Sequence, residues 1–124
     1  MNEIRNSKPY DLEERTAQFA ENCRDFVKKL NKTISNLEYG KQLIRSSGSQ
    51  AANYIEANES LGKKDFLMKI KICRKETKET CLWLRLSDVN GNEELEREKA
   101  LLMAEAIELR KIFTSILEKS QSGL

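Results

Sequence analysis

Apolar residues recur along this chain at steps of three and four, the spacing that gathers side chains on one face of an α-helix. Leu12, Thr16, Phe19, Cys23, Phe26, Val27 and Leu30 form the first run and predict a helix over residues 11–30. Asp11, with Glu14 three residues on, is a helix-start pair of the capping-box kind. The opposite face, Glu13, Arg15, Glu21, Arg24 and Lys28, reads as solvated surface. Pro9 keeps residues 1–10 out of the helix, as a lead-in.

Asn31-Lys32-Thr33 breaks the pattern, and Thr33 is placed to cap a second helix over residues 33–60. Its apolar stripe is Leu37, Ile44, Ala51 and Ile55, flanked by Gly40, Ser47 and Tyr54, and this is the expected core face. Gly40 and Gly48 are each expected to mark close packing, since glycine inside a helix is worth about 1 kcal/mol less than alanine. A second line, Ser46, Ser49, Asn53, Glu56 and Ser60, also steps by three and four. A solvated face is one reading of it. Such faces favour Lys, Glu and Arg, however, which are better helix formers than Ser and Asn. The line is therefore expected to touch another surface, where Asn53 and Glu56 need hydrogen-bond partners.

Ser60-Leu61-Gly62 closes this helix, with Gly62 suited to a left-handed turn. A third helix is predicted over 63–87. Its core face is Phe66, Ile70, Cys73, Thr77, Thr80 and Leu84, with Leu67 and Cys81 beside it. A separate line holds Ile72, Glu76, Glu79, Trp83 and Leu86. Trp83, the sole tryptophan, reads equally as the margin of the core or as a subunit contact. Lys64, Lys71, Lys75, Lys78 and Arg85 form a basic stripe on one side of the same helix. A lysine run on a helix is most often solvated surface. It also suits phosphate groups, without aromatic residues interleaved for base stacking.

Ser87-Asp88-Val89-Asn90-Gly91 is a turn-rich connector, and Asn92 can cap a fourth helix over 92–120 with Glu93 and Glu94 in its first turn. Leu95, Leu102, Ala106, Leu109, Phe113, Ile116 and Leu117 form its stripe. Leu101, Met103, Ile107 and Ile112 widen the arc, which implies contact on more than one side. The terminal QSGL reads as a frayed end. Four helices with short connections predict an all-α, antiparallel up-down-up-down four-helix bundle, one domain over residues 1–124.

Composition narrows the function classes. Charged residues are 34% and hydrophobic ones 39%, with a single proline, as a helical chain requires. A net charge of +2 is too small to argue for nucleic acid by itself, so any such case rests on where charges lie. There is no histidine, which removes the commonest general base, Ser-His and Cys-His pairs and the Glu-x-x-His metal motif of bundle proteins. Cys23, Cys73 and Cys81 show no C-x-x-C spacing and read as reduced core residues, which fits a cytoplasmic protein. No secretory signal, membrane span, cofactor or metal site is expected. The carboxylates Glu76 and Glu79 lie among Lys and Trp on a helix surface, which points to surface or interface pairing rather than catalysis.

The segments QLIRSSGSQAANYIEAN and KKDFLMKIKICRKETKETCLWLRL carry a resemblance. They are similar to the four-helix-bundle family named after proteins encoded in intervening sequences of bacterial 23S ribosomal RNA genes. Ser46, Ser49, Asn53 and Glu56 match that family's spaced Ser, Asn and acidic positions. Glu76 and Glu79-Thr80 match its acidic positions on the third helix. Asn31 stands where proline is common, and Gly48 and Gln50 stand in a turn usually rich in Ala or Ile. The resemblance implies a non-enzymatic homo-oligomer, with a pentameric ring favoured. It extends to the accessory variability protein of diversity-generating retroelements, a basic barrel that engages nucleic acid and a reverse transcriptase.

Two expectations follow. In one, the bundle binds RNA or DNA through Lys64, Lys71, Lys75, Lys78 and Arg85. In the other it is a protein-interaction scaffold, with Ser46, Ser49, Asn53, Glu56, Ser60, Glu76, Glu79 and Trp83 forming a subunit interface or a buried polar seam. An enzyme is the weakest reading, because no Lys, Cys or carboxylate pair sits in a context that activates it.

Overall fold

The computed structural model describes residues 11–122 of the chain. The lead-in of residues 1–10, Pro9 included, and the last two positions lie outside the described residues. Four helices follow one another: α1 (Leu12–Lys29), α2 (Ile34–Asn58), α3 (Lys63–Leu86) and α4 (Glu93–Ser122). Each bound lies within two residues of the predicted one. Gln121 and Ser122, read as frayed, continue α4. Each helix packs on its sequence neighbours and α4 returns to α1, so the bundle is all-α, antiparallel and up-down-up-down. The α2–α3 contact is the most extensive and the α1–α4 contact the least.

Capping follows the sequence at two of three starts. Thr33 Oγ1 accepts the Asn36 N–H at 3.1 Å, and Asn92 Oδ1 accepts the Leu95 N–H at 3.0 Å. Asp11 occupies the position before α1 but its side chain makes no capping bond. Gly62 is not left-handed. Its φ of −159° and ψ of 168° are extended, it precedes α3 directly, and a Cβ there would meet nothing within 4 Å. The left-handed residues are Asn90 (φ 54°) and Gly91 (φ 75°), which reverse the chain between α3 and α4.

The core is built on Phe19, Phe26, Phe113, Leu43, Ile70, Leu84 and Leu109, all fully buried. On α1, α3 and α4 the buried residues follow the predicted stripes. On α2 they do not. Leu37, Ile44 and Ile55 are 49%, 46% and 46% exposed, and of that stripe only Ala51 is buried. The inward face is Asn36, Gly40, Leu43, Ser47, Gln50 and Ala57, a stripe set back by one residue step, about 100° around the helix. Small residues win the inward position because they let neighbouring backbones approach. A Cβ on Gly40 would lie 3.0 Å from Val27 Cγ1 of α1. Gly48 has no such role, since a Cβ there would meet nothing within 4 Å.

The polar groups thus buried are largely satisfied. Thr16, Thr77 and Thr80 donate back to the carbonyls of Glu13, Cys73 and Glu76 at 2.8–3.0 Å. Gln50 Nε2 donates to the Thr16 carbonyl of α1 at 2.9 Å and to the Ser47 carbonyl at 3.0 Å. Arg15, read as solvated, instead closes the thin α1–α4 side: its Nε and Nη2 donate to both Glu105 oxygens at 2.7 and 3.0 Å. That hydrogen bond holds the guanidinium pKa above its ordinary value.

Candidate nucleic-acid interface

The third helix exposes its basic residues because its buried stripe, Ile70, Cys73, Thr77, Thr80 and Leu84, occupies the opposite side. Lys64, Lys71, Lys75, Lys78 and Arg85 are all exposed. From Lys64 to Arg85 the helix rises roughly 30 Å, the length of several successive phosphates. Among the described residues, only Lys75 of the five has a carboxylate within 4.0 Å, Glu76 at 3.8 Å.

The acidic residues of mid-α3 are engaged elsewhere. Arg45 of α2 reaches across with Nη1 3.2 Å from Glu76 Oε1 and Nη2 2.9 Å from Glu79 Oε1. Gln42 Oε1 accepts Arg45 Nε at 3.1 Å and fixes the guanidinium plane. Both carboxylates are therefore held on the α2 flank of α3, where only Lys75 of the five cations comes within 4.0 Å of one of them. Nothing in the sequence marks Arg45 for this part, although it sits beside Ser46 at the edge of the polar line.

That line runs along α3 of the same chain. Ser46 is buried and its Oγ lies 2.7 Å from Thr80 Oγ1. Thr80 spends its proton on the Glu76 carbonyl, so Ser46 is the donor. Asn53 Nδ2 donates to the Ser49 carbonyl at 2.9 Å and to Ser49 Oγ at 3.2 Å. Lys69 Nζ of α3 meets Glu56 Oε1 at 2.9 Å, a bond that raises the lysine pKa. Ser60 Oγ donates to the Glu56 carbonyl at 3.3 Å. Trp83 is half-buried and stacks on Tyr39 of α2, with centroids 5.9 Å apart and an interplanar angle of 25°. Its buried indole N–H has no partner among the described residues.

The displaced apolar stripe of α2 forms a second surface. Leu37, Gly40 and Ile44 face Val27 and Leu30 across a cleft of about 260 Å³, with Lys28, Lys32 and Lys41 at its rim. Ile34 lies beyond them at 84% exposure, and Leu101 of α4 is 72% exposed.

The cysteines carry no activated thiol. Burial pushes the Cys23 and Cys73 thiols up to about 12 and raises that of Cys81, so all three are protonated near neutrality. Among the described residues no group of His, Cys, Asp or Glu is placed to hold a metal, and no helix is long and apolar enough to cross a membrane.

Comparison with known proteins bears on the whole surface. Residues 9–115 match a family model described as 23S rRNA-intervening sequence protein. The chain is similar to a crystal structure from Bacteroides thetaiotaomicron, that of a protein of unknown function from the S23 ribosomal protein family. The TM-score is 0.70 at 26% identity, over 85% of this chain and 96% of that one. No curated protein matches by sequence.

Proposed function

This chain belongs to the family of 23S rRNA-intervening sequence proteins, and on that footing we propose a non-enzymatic, self-associating bundle that binds RNA or DNA through the outer face of α3. The observation that supports this reading most is the row Lys64, Lys71, Lys78 and Arg85. These exposed cations have no carboxylate within 4.0 Å among the described residues, on a helix whose Glu76 and Glu79 are held by Arg45. Long, singly charged side chains in a row suit phosphate oxygens. The face has no group that reads base edges, so its affinity is electrostatic and independent of sequence.

Self-association raises what one row can do. A ring of identical subunits, pentameric by the family resemblance, repeats the row around its circumference and gains avidity. We assign the subunit contact to the α2 flank carrying Leu37, Ile44 and Ile55, whose exposure a neighbouring copy removes. The same flank favours the second reading, a protein-interaction scaffold without nucleic acid.

Fluorescence anisotropy of a labelled RNA hairpin, titrated with the full chain at low and at physiological salt, separates the two. Binding that weakens steeply with salt supports the α3 face. No binding at low salt, or binding indifferent to salt, leaves the scaffold.

A further inference from the structure

A second group of cations lies on α4, where Arg74 of α3 approaches it. Arg110, Lys111, Thr114 and Ser115 line a cleft of about 330 Å³ on the outer flank of α4, with Ile107 and Glu118. Arg74 reaches it from α3, its Nη1 lying 3.5 Å from Thr114 Oγ1. One guanidinium thus lines the cleft from α4, and a second, from α3, touches its Thr114 hydroxyl.

These two arginines differ from three others in what surrounds them. Arg15, Arg24 and Arg45 each hold a carboxylate at 2.7–3.2 Å. Arg74 and Arg110 are half-buried, as Arg15 is, yet neither has a carboxylate within 4.0 Å among the described residues. Glu118, the carboxylate that lines the cleft, has an interaction of its own. An arginine carries five N–H donors in a planar fork. Thr114 offers Arg74 one long contact, and beside Arg110 the cleft presents the Lys111 ammonium, the Thr114 and Ser115 hydroxyls and the Glu118 carboxylate. All of these but Glu118 can donate, and the cations outnumber that one carboxylate. The complementary ligand is a compact oxyanion with several acceptor oxygens, which a phosphate supplies and a single carboxylate does not.

We infer that this cleft on α4 is a phosphate-binding site that anchors one phosphodiester of a bound nucleic acid, with Arg110 from its wall and Arg74 from the neighbouring α3 as the fork donors. This rests on the nucleic-acid reading of α3. Lys71 precedes Arg74 by three residues and Lys78 follows it by four, so both share its side of α3. The exposed row attracts the strand through a screened field. The cleft, partly desolvated, holds one phosphate by directional bonds that salt weakens less.

The test uses the full chain with two probes, a labelled RNA hairpin and inorganic phosphate. Arg74→Gln/Arg110→Gln is expected to weaken hairpin binding about tenfold at physiological salt, the scale of a charged hydrogen bond. The charge-matched pair Arg24→Gln/Arg97→Gln is expected to change it no more than about twofold. Lys111→Gln, on the exposed rim, gives the same direction of effect in a variant with no buried partner to lose. Inorganic phosphate is expected to shift the amide resonances of Thr114 and Ser115. Equal weakening by the two arginine pairs, with Lys111→Gln silent, overturns the cleft and leaves the α3 row standing. A parent protein that binds no hairpin overturns the row and the phosphodiester assignment together. Phosphate-induced shifts confined to Thr114 and Ser115 in that protein would instead mark a site for free phosphate.

Discussion

Asn36 donates to the carbonyls of Asn31 and Asp88 at 2.9 and 3.0 Å and accepts the Asp88 N–H at 2.9 Å. One buried amide thereby ties the α1–α2 connection to the α3–α4 connection. Asn36→Ala removes three bonds and strands the backbone groups it served, so urea unfolding is expected to show a loss of about 2–4 kcal/mol. A loss under about 0.5 kcal/mol, the range of an ordinary surface change, contradicts that role. The cysteines set a second expectation. Burial holds the Cys23 and Cys73 pKa at about 12, above the ordinary 9.0. The folded chain therefore keeps thiol protons that the unfolded chain releases first. The stability tied to those protons is complete below pH 9 and is lost as pH rises from 9 toward 12. Thermal melting followed across that window should fall less in a Cys73→Ala variant than in the parent. Neither property is fully legible in the sequence. The thiols read as core residues because they sit on apolar stripes. Asn36 does not, because its partners are backbone groups of two loops distant in sequence.

At the scale of the helix, α2 is where pattern and packing part. A stripe of Leu37, Ile44 and Ile55 is more hydrophobic than one of Gly40, Leu43, Ser47 and Gln50, and periodicity alone prefers it. Packing prefers the second, because close helix approach gains contact along the whole α1–α2 and α2–α3 length. The small-residue line Ser46, Ser49 and Asn53 carries that signal, as a surface expected to touch another. Its meeting with α3 and the part taken by Arg45 depend on three-dimensional neighbours. Two substitutions one residue apart distinguish the stripes. Leu43→Ala is expected to destabilise by about 2–5 kcal/mol with no change in solution mass. Ile44→Glu is expected to leave stability within about 1 kcal/mol and to lower the mass seen by light scattering. A parent protein that is already monomeric, or an Ile44→Glu variant of unchanged mass, removes the α2 flank as the subunit contact.

Over the whole molecule the architecture follows from the sequence more completely than the surface does. Four periodic runs with breaks at Asn31–Thr33, near Gly62 and at Ser87–Gly91 suffice to order the helices, since short connections permit only antiparallel neighbours. The basic stripe is legible as a spacing. That Arg45 holds Glu76 and Glu79 on the α2 flank, leaving Lys64, Lys71, Lys78 and Arg85 with no carboxylate within 4.0 Å among the described residues, is not. Nor is the approach of Arg74 on α3 to Thr114 on α4, beside the cleft that Arg110 lines. The central claim is that α3 carries the charge nucleic acid responds to, rather than the molecule as a whole, whose net charge is only +2. It is tested most directly by the salt dependence of hairpin binding in two charge-matched variants. Lys71→Gln/Lys78→Gln is expected to flatten the slope of log affinity against log salt by about two relative to the parent, one for each phosphate left without its lysine. Lys32→Gln/Arg97→Gln is expected to leave that slope unchanged. Equal slopes in both variants would contradict the account.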